Sequence, residues 1–157
     1  MVSGSAKARK VEVVAPPLLR DQLCFAVYSA SHAFARRYKP LLSALQLTYP
    51  QYICMMVLWE TDNQTVGEIG DRLFLDSGTL TPMLKRLEGA DLVSRQRDPV
   101  DERQVRIRLT VKGRALAVKA AALPASVACA TNITVAAQGE LREQLLTLRD
   151  SLSDVER

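Results

Sequence analysis

The chain has 157 residues, 48% hydrophobic and 24% charged, with 21 Lys and Arg against 17 Asp and Glu. That apolar content, at a length able to bury a core, excludes a disordered protein. The longest apolar run, Ile53 to Trp59, is far short of the roughly 18 residues a membrane-spanning helix needs.

Residues 1–17 read as a polar, then Pro-rich, flexible tail, and 18–157 as a single domain. Lys7, Arg9 and Lys10 are basic enough for a signal peptide, but Glu12 and Pro16-Pro17 interrupt its apolar stretch, so a cytoplasmic protein with reduced thiols is expected. Asp21 can cap a first helix through Leu23, Cys24, Val27, Tyr28, Ser31 and Phe34 to about Tyr38, where Lys39-Pro40 should end it. A short helical piece is expected over Leu41 to Leu45. Pro50 suits the first turn of an apolar helix, Gln51 to Glu60.

Thr65-Val66-Gly67-Glu68 has the pattern of a capping box, predicting a helix to about Phe74. Leu75-Asp76-Ser77-Gly78 then offers a turn and two good N-cap residues, and a second helix should run to Glu88 with Leu80, Leu84 and Leu87 on its inner face. Pro82 inside it implies a bend or a late start. Past Gly89, Val93 to Arg97 and Val105 to Leu109 alternate with period two around a turn-rich Asp98 to Arg103, which predicts a two-strand hairpin. Thr110 should open a long helix to about Leu123, bent or broken at Pro124. A final helix carries Leu141, Leu145, Leu148, Leu152 and Val155 in heptad-like spacing, a seam for the first helix or for a second copy of the chain.

The fold class is therefore mainly α with a small β-hairpin wing: a winged helix-turn-helix over 50–110 with additional dimerisation helices over 18–45 and 110–157. Because the winged part is complete without the outer helices, a homodimer is expected. Between Lys85 and Arg114 nine Lys or Arg face five acids, and that surplus of four equals the net charge of the whole chain. Such concentrated positive charge suits phosphate binding, so the partner read from this stretch is nucleic acid. No cofactor or metal site is expected: the one histidine, His32, has no Cys-x-x-Cys or His-x-x-His spacing around it, and no phosphate loop or Ser-His-Asp grouping exists. The sequence carries no enzyme motif.

Residues Leu75 to Glu88, with Asp101-Glu102-Arg103, resemble the MarR family of winged helix regulators. Asp21 to Ser29, Tyr38 to Leu42 and Leu47 to Tyr52 resemble its organic-hydroperoxide-sensing branch, the two-cysteine OhrR repressors, over roughly Leu18 to Cys129. With Asp21 as N-cap, Cys24 would lie in the first helical turn, where the helix dipole favours a thiolate. The resemblance makes Cys24 the peroxide-sensing thiol and Tyr38 and Tyr49 its hydrogen-bonding phenols. On one continuous helix Tyr38 lies about 20 Å from Cys24, so it would serve the Cys24 of a partner. Cys54, within Tyr52 to Val57, reads as core. Cys129 resembles the resolving cysteine; with Tyr38 serving a partner, its disulfide is expected to Cys24 of the other subunit, with a bond inside one chain as the open alternative. The family pattern implies DNA contacts from Ser77, Thr79, Thr81, Lys85 and Arg86 in the major groove of a pseudo-palindromic double-stranded operator, with Arg103, oriented by Asp101, in the minor groove. An organic hydroperoxide is the oxidising signal. Two alternatives stay open: a MarR-type repressor responding to a small aromatic ligand, and a thiol peroxidase using Cys24 and Cys129.

Overall fold

The computed structural model describes residues 16–153. The expected tail lies outside them except for Pro16 and Pro17, and so does Val155 of the C-terminal seam. The chain divides into two compact units, one ending at Ala33 and one beginning at Phe34.

In the first unit a 3-10 turn spans Leu19–Asp21, and helix α1, Leu23–Ser43, opens after it. Asp21 is therefore not the N-cap expected from the sequence. Its own N–H bonds back to Leu18 O at 3.1 Å, and Gln22, in extended backbone, separates the turn from α1. Cys24 remains in the first turn of α1, as its second residue. Between Phe25, Tyr28 and His32 the rings follow one another at 6.4 and 4.3 Å, yet Leu23, Val27 and Tyr28 stay exposed.

Contrary to expectation, α1 continues through Pro40 to Ser43 and absorbs most of the separate piece placed at Leu41 to Leu45. The proline forfeits one intrahelical bond, while Leu42 just beyond it is wholly buried; packing outweighs the local penalty. The helix closes on Gln46 in the left-handed region, with Leu47 N–H reaching Leu42 O at 3.1 Å, a Schellman closure.

Helix α2, Tyr49–Glu60, starts two residues earlier than the expected Gln51 and one residue before its proline, because Thr48 and Gln51 form a reciprocal capping box. It buries Tyr52, Cys54, Met55, Val57 and Leu58. Cys54 is the core residue the sequence predicts, and burial pushes its thiol up to about 12. Strand β1, Gln64–Thr65, which the sequence did not reveal, pairs antiparallel with strand β3, Val105–Leu109. Strand β2, Val93–Arg97, pairs with the other side of β3, with Arg95 opposite Ile107, giving sheet order β1-β3-β2.

Helix α3, Val66–Leu73, carries the expected capping box between Thr65 and Glu68. Helix α4, Ser77–Gly89, follows a turn in which Phe74 takes a left-handed conformation. It does not begin late: Pro82 sits inside it, and Asp76 caps its start. Helix α5, Val111–Ala120, is capped by Thr110 as expected. The break falls before Pro124, not at it, and the proline sits in the first turn of helix α6, Leu123–Cys129, where its missing N–H costs nothing. Helix α7, Val135–Ser153, has no buried residue.

Candidate nucleic-acid interface and thiol site

Asp76 builds the start of α4. Its carboxylate accepts the Thr79 N–H and the Thr79 hydroxyl, each at 2.9 Å, and these bonds hold it below the usual carboxylate range. A Cβ on Gly78 would lie 2.9 Å from that carboxylate, so the glycine leaves the cap its room. With Leu80, Met83, Leu84 and Leu87 turned into the core, Ser77, Thr81 and Lys85 follow one another at steps of four along one flank of the helix. Arg86 is exposed beside them. Thr79 serves the cap first. Ser77 and Thr81, with the first turn of α3, Arg95, Arg103 and Gln104, line an open cleft of about 570 Å³ between α4 and the hairpin.

The structure sorts the nine cations that the sequence could only count. Six are committed within the protein: Arg95 to Glu88, Arg97 to Glu102 O, Arg106 to Asp98 and Asn63 O, Arg108 to Asn63, Lys112 to Ala90 O, and Arg114 to Asp62. Among the described residues, the side chains of Lys85, Arg86 and Arg103 have no hydrogen bond or ion pair, so their charge is available to phosphate. Asp98 organises the hairpin turn. It accepts the N–H groups of Val100 at 2.7 Å and Asp101 at 3.1 Å, and with the Arg106 guanidinium these hold its carboxyl low. Asp101 accepts the Arg103 N–H and the Gln104 side chain, both at 3.1 Å. It therefore fixes the backbone at Arg103; among the described residues no ion pair joins it to the Arg103 guanidinium.

Tyr38 and Tyr49 are brought together, their ring centres 5.1 Å apart, and the Tyr52 ring lies tilted against Tyr38 at 5.5 Å. Burial first, then the neighbouring phenols of Tyr52 and Tyr49, push Tyr38 up to about 12; burial raises Tyr49 as well. Both are therefore neutral O–H donors at physiological pH. Cys24, in the first turn of α1, and Cys129, the last residue of α6, are both exposed free thiols.

Comparison with known proteins agrees with this geometry. The family described as Transcriptional regulator SarA/Rot matches residues 36–119. The HTH-type transcriptional regulator TtmR of Methylorubrum extorquens (strain PA1) is 54% identical over 137 residues, covering 87% of this chain and 70% of that protein. The Organic hydroperoxide resistance transcriptional regulator of Bacillus subtilis (strain 168) is 43% identical over 134 residues, covering 85% and 91%. This chain belongs to the SarA/Rot and MarR type of winged-helix transcriptional regulators. A solved structure of reduced AbfR, from Staphylococcus epidermidis, bound to DNA matches this MarR-type chain with TM-score 0.75 at 35% identity, over 88% of this chain and 95% of that one. The disulfide form of AbfR matches with TM-score 0.56 at 38% identity, over 83% and 91%.

As in any MarR-type regulator, the fold is a DNA-binding one, and no helix among the described residues is long and apolar enough to cross a membrane. Sequence reasoning missed Tyr52, Arg95 and Gln104. Tyr52 had a signal, since it follows Tyr49 by three residues and so shares its helix face. Arg95 and Gln104 had none, because only the strand register and the fold of the hairpin turn decide which polar side chains line the cleft.

Proposed function

We propose that this chain is a homodimeric repressor that senses organic hydroperoxides through Cys24 and then releases its operator. The Tyr38–Tyr49 pair, one ring buried and the other partly so, carries the reading: two neutral phenols with ring centres 5.1 Å apart are donors suited to a sulfur anion, in a chain that covers 91% of a hydroperoxide-resistance regulator. On one continuous helix, fourteen residues at about 1.5 Å each would keep Tyr38 from the Cys24 of its own chain, so Tyr38, with Tyr49 beside it, is assigned to the Cys24 of a second copy. Leu141 and Leu145 of α7 line an open apolar groove of about 340 Å³ with Phe34 and Tyr38. The first helix of the second copy lies there, around a two-fold axis that makes the contact reciprocal.

In the reduced dimer each α4 enters a major groove of a pseudo-palindromic operator. Ser77, Thr79 and Thr81 meet bases or phosphates, Lys85 and Arg86 add charge, and Arg103, on the turn fixed by Asp101, reaches the minor groove. The Cys24 thiolate attacks the outer oxygen of the hydroperoxide. The O–O bond breaks, the alkoxide leaves and takes a proton to become the alcohol, and the sulfur, oxidised by two electrons, keeps the OH as a sulfenic acid. The Cys129 thiol of the other subunit then attacks that sulfur, forming an S–S bond and releasing water. Each sensing event consumes one peroxide, so the protein acts as a cytoplasmic switch and not as an enzyme.

The test is an anisotropy titration on the upstream intergenic DNA, with and without an organic hydroperoxide. The parent should release DNA on oxidation, and Cys24→Ser should bind equally well and ignore the peroxide. A variant that still responds would remove Cys24 from the mechanism. Non-reducing electrophoresis should show a covalent dimer that disappears in both Cys24→Ser and Cys129→Ser; a monomer with free Cys129 would overturn the intersubunit bond.

A further inference from the structure

We propose that Trp59 is a positioning residue that couples the tyrosine pair to the root of the wing. The inference rests on the redox reading above and supplies its route. From Tyr38 the ring of Tyr52 follows at 5.5 Å, and from Tyr52 the ring of Trp59 follows edge-on at 6.1 Å. The Trp59 indole N–H donates to the backbone O of Gly113 at 2.9 Å, across 54 residues of sequence. Gly113 in turn lies so close to Leu92 that a Cβ built on it would stand 2.0 Å from the Leu92 carbonyl oxygen. That same oxygen accepts the Thr110 N–H at 3.1 Å, and Val93, the next residue, opens β2 opposite Leu109.

Each ring in this series lies against the next, with Tyr52 buried and Trp59 partly buried. Tyr52 is 2% exposed, and close-packed interiors transmit a shift because no void takes it up. At Gly113 the two backbones touch with no side chain between them to bend. A move of Tyr38 on losing its sulfur anion therefore reaches Trp59 through the buried Tyr52 ring. The indole is the one link joined by a directional bond, and that bond ends on the segment that sets the angle of the hairpin. Trp59 thus holds the wing root in the register that the reduced tyrosine pair specifies, and lets it shift when the pair rearranges.

Trp59 is the only tryptophan of the chain, so the emission of the unmodified chain reports on this link. Titration of the reduced protein with cumene hydroperoxide should shift that emission in step with thiol loss and operator release, and Cys24→Ser should show neither. Trp59→Phe keeps a ring but removes the N–H. It should bind the operator within about threefold of the parent and lose its Cys24 thiol at the parent rate. Its ratio of oxidised to reduced dissociation constants should fall about tenfold, within the usual span of coupling between sites. A parent that releases DNA with constant emission overturns the proposal, as does a Trp59→Phe protein that releases like the parent. A parent that keeps its operator after Cys24 is oxidised overturns the redox reading itself, and is told apart because it needs no variant. If Trp59→Phe folds poorly, the emission titration of the parent still decides.

Discussion

Helix α2, with twelve residues, buries five of its side chains, whereas α7, with nineteen, buries none. Both are rich in apolar residues, but α2 is surrounded by α3, the sheet and α5, while the Leu141, Leu145 and Leu152 side chains of α7 face solvent at 48%, 42% and 65% exposure. A leucine row kept at heptad spacing on an unfilled face is a surface built for another helix. The winged part thus buries its core within one chain, whereas α7 leaves an apolar face open, the face on which the proposed dimer rests. The division also separates tasks: the closed part carries the available cations, and the open part carries the surface through which a second copy would deliver its cysteine.

The largest effect expected from that division concerns salt. If a dimer makes about six to ten phosphate contacts, operator affinity should fall about 10³–10⁵-fold between roughly 50 and 200 mM salt, while the dimer, held by apolar contacts, should not dissociate. A flat DNA response would break the comparison at its basic face. Next, Leu58→Ala, in the filled core of α2, should cost about 2–5 kcal/mol at any protein concentration. Leu145→Ala on α7 should cost about 1 kcal/mol per subunit, and its unfolding midpoint should move with protein concentration; equal, concentration-independent losses would show that α7 needs no partner. Arg103→Ala should weaken operator binding by about 1–3 kcal/mol. Arg108→Ala should act mainly on folding, because its guanidinium is spent on Asn63. Equal losses of DNA affinity from the two would erase the distinction between available and committed cations.

The smallest effect is on acidification. Asp76 and Asp98 are held below the usual carboxylate range chiefly by backbone N–H groups, as is Glu68 by the Thr65 N–H and hydroxyl. A carboxyl lowered by folding adds stability that is complete above its unfolded pKa and is lost as pH falls through the folded value. The caps of α3 and α4 and the hairpin turn should therefore weaken only below about pH 4. Asp98→Asn should remove part of that acid sensitivity, and an acid titration followed by circular dichroism that is identical in parent and variant would remove Asp98 from the account.

Local chemistry was legible wherever one short stretch settles its own structure. The Thr65 and Glu68 box, the Asp76 cap, the alternation of Val93 to Arg97 and Val105 to Leu109, and the Thr110 cap each depend on residues within a few positions, and the structure has them all. The reading failed where distant residues overrule a local preference. Pro40 does not end α1 because Leu42 beyond it is drawn into the core, and β1 was invisible because two residues have no periodicity and form a strand only by pairing with Ile107 and Arg106.

By itself the sequence determined the winged-helix class and the basic character of one segment, since these follow from caps, periods and charges that need no partner; the thiol and phenol residues came from a resemblance to a family and belong to the proposed function. Only the tertiary structure decided which cations remain available, that Tyr52 joins Tyr38 and Tyr49, and that Trp59 reaches Gly113. Those facts are distances between elements far apart in the chain, and no spacing along a sequence contains them.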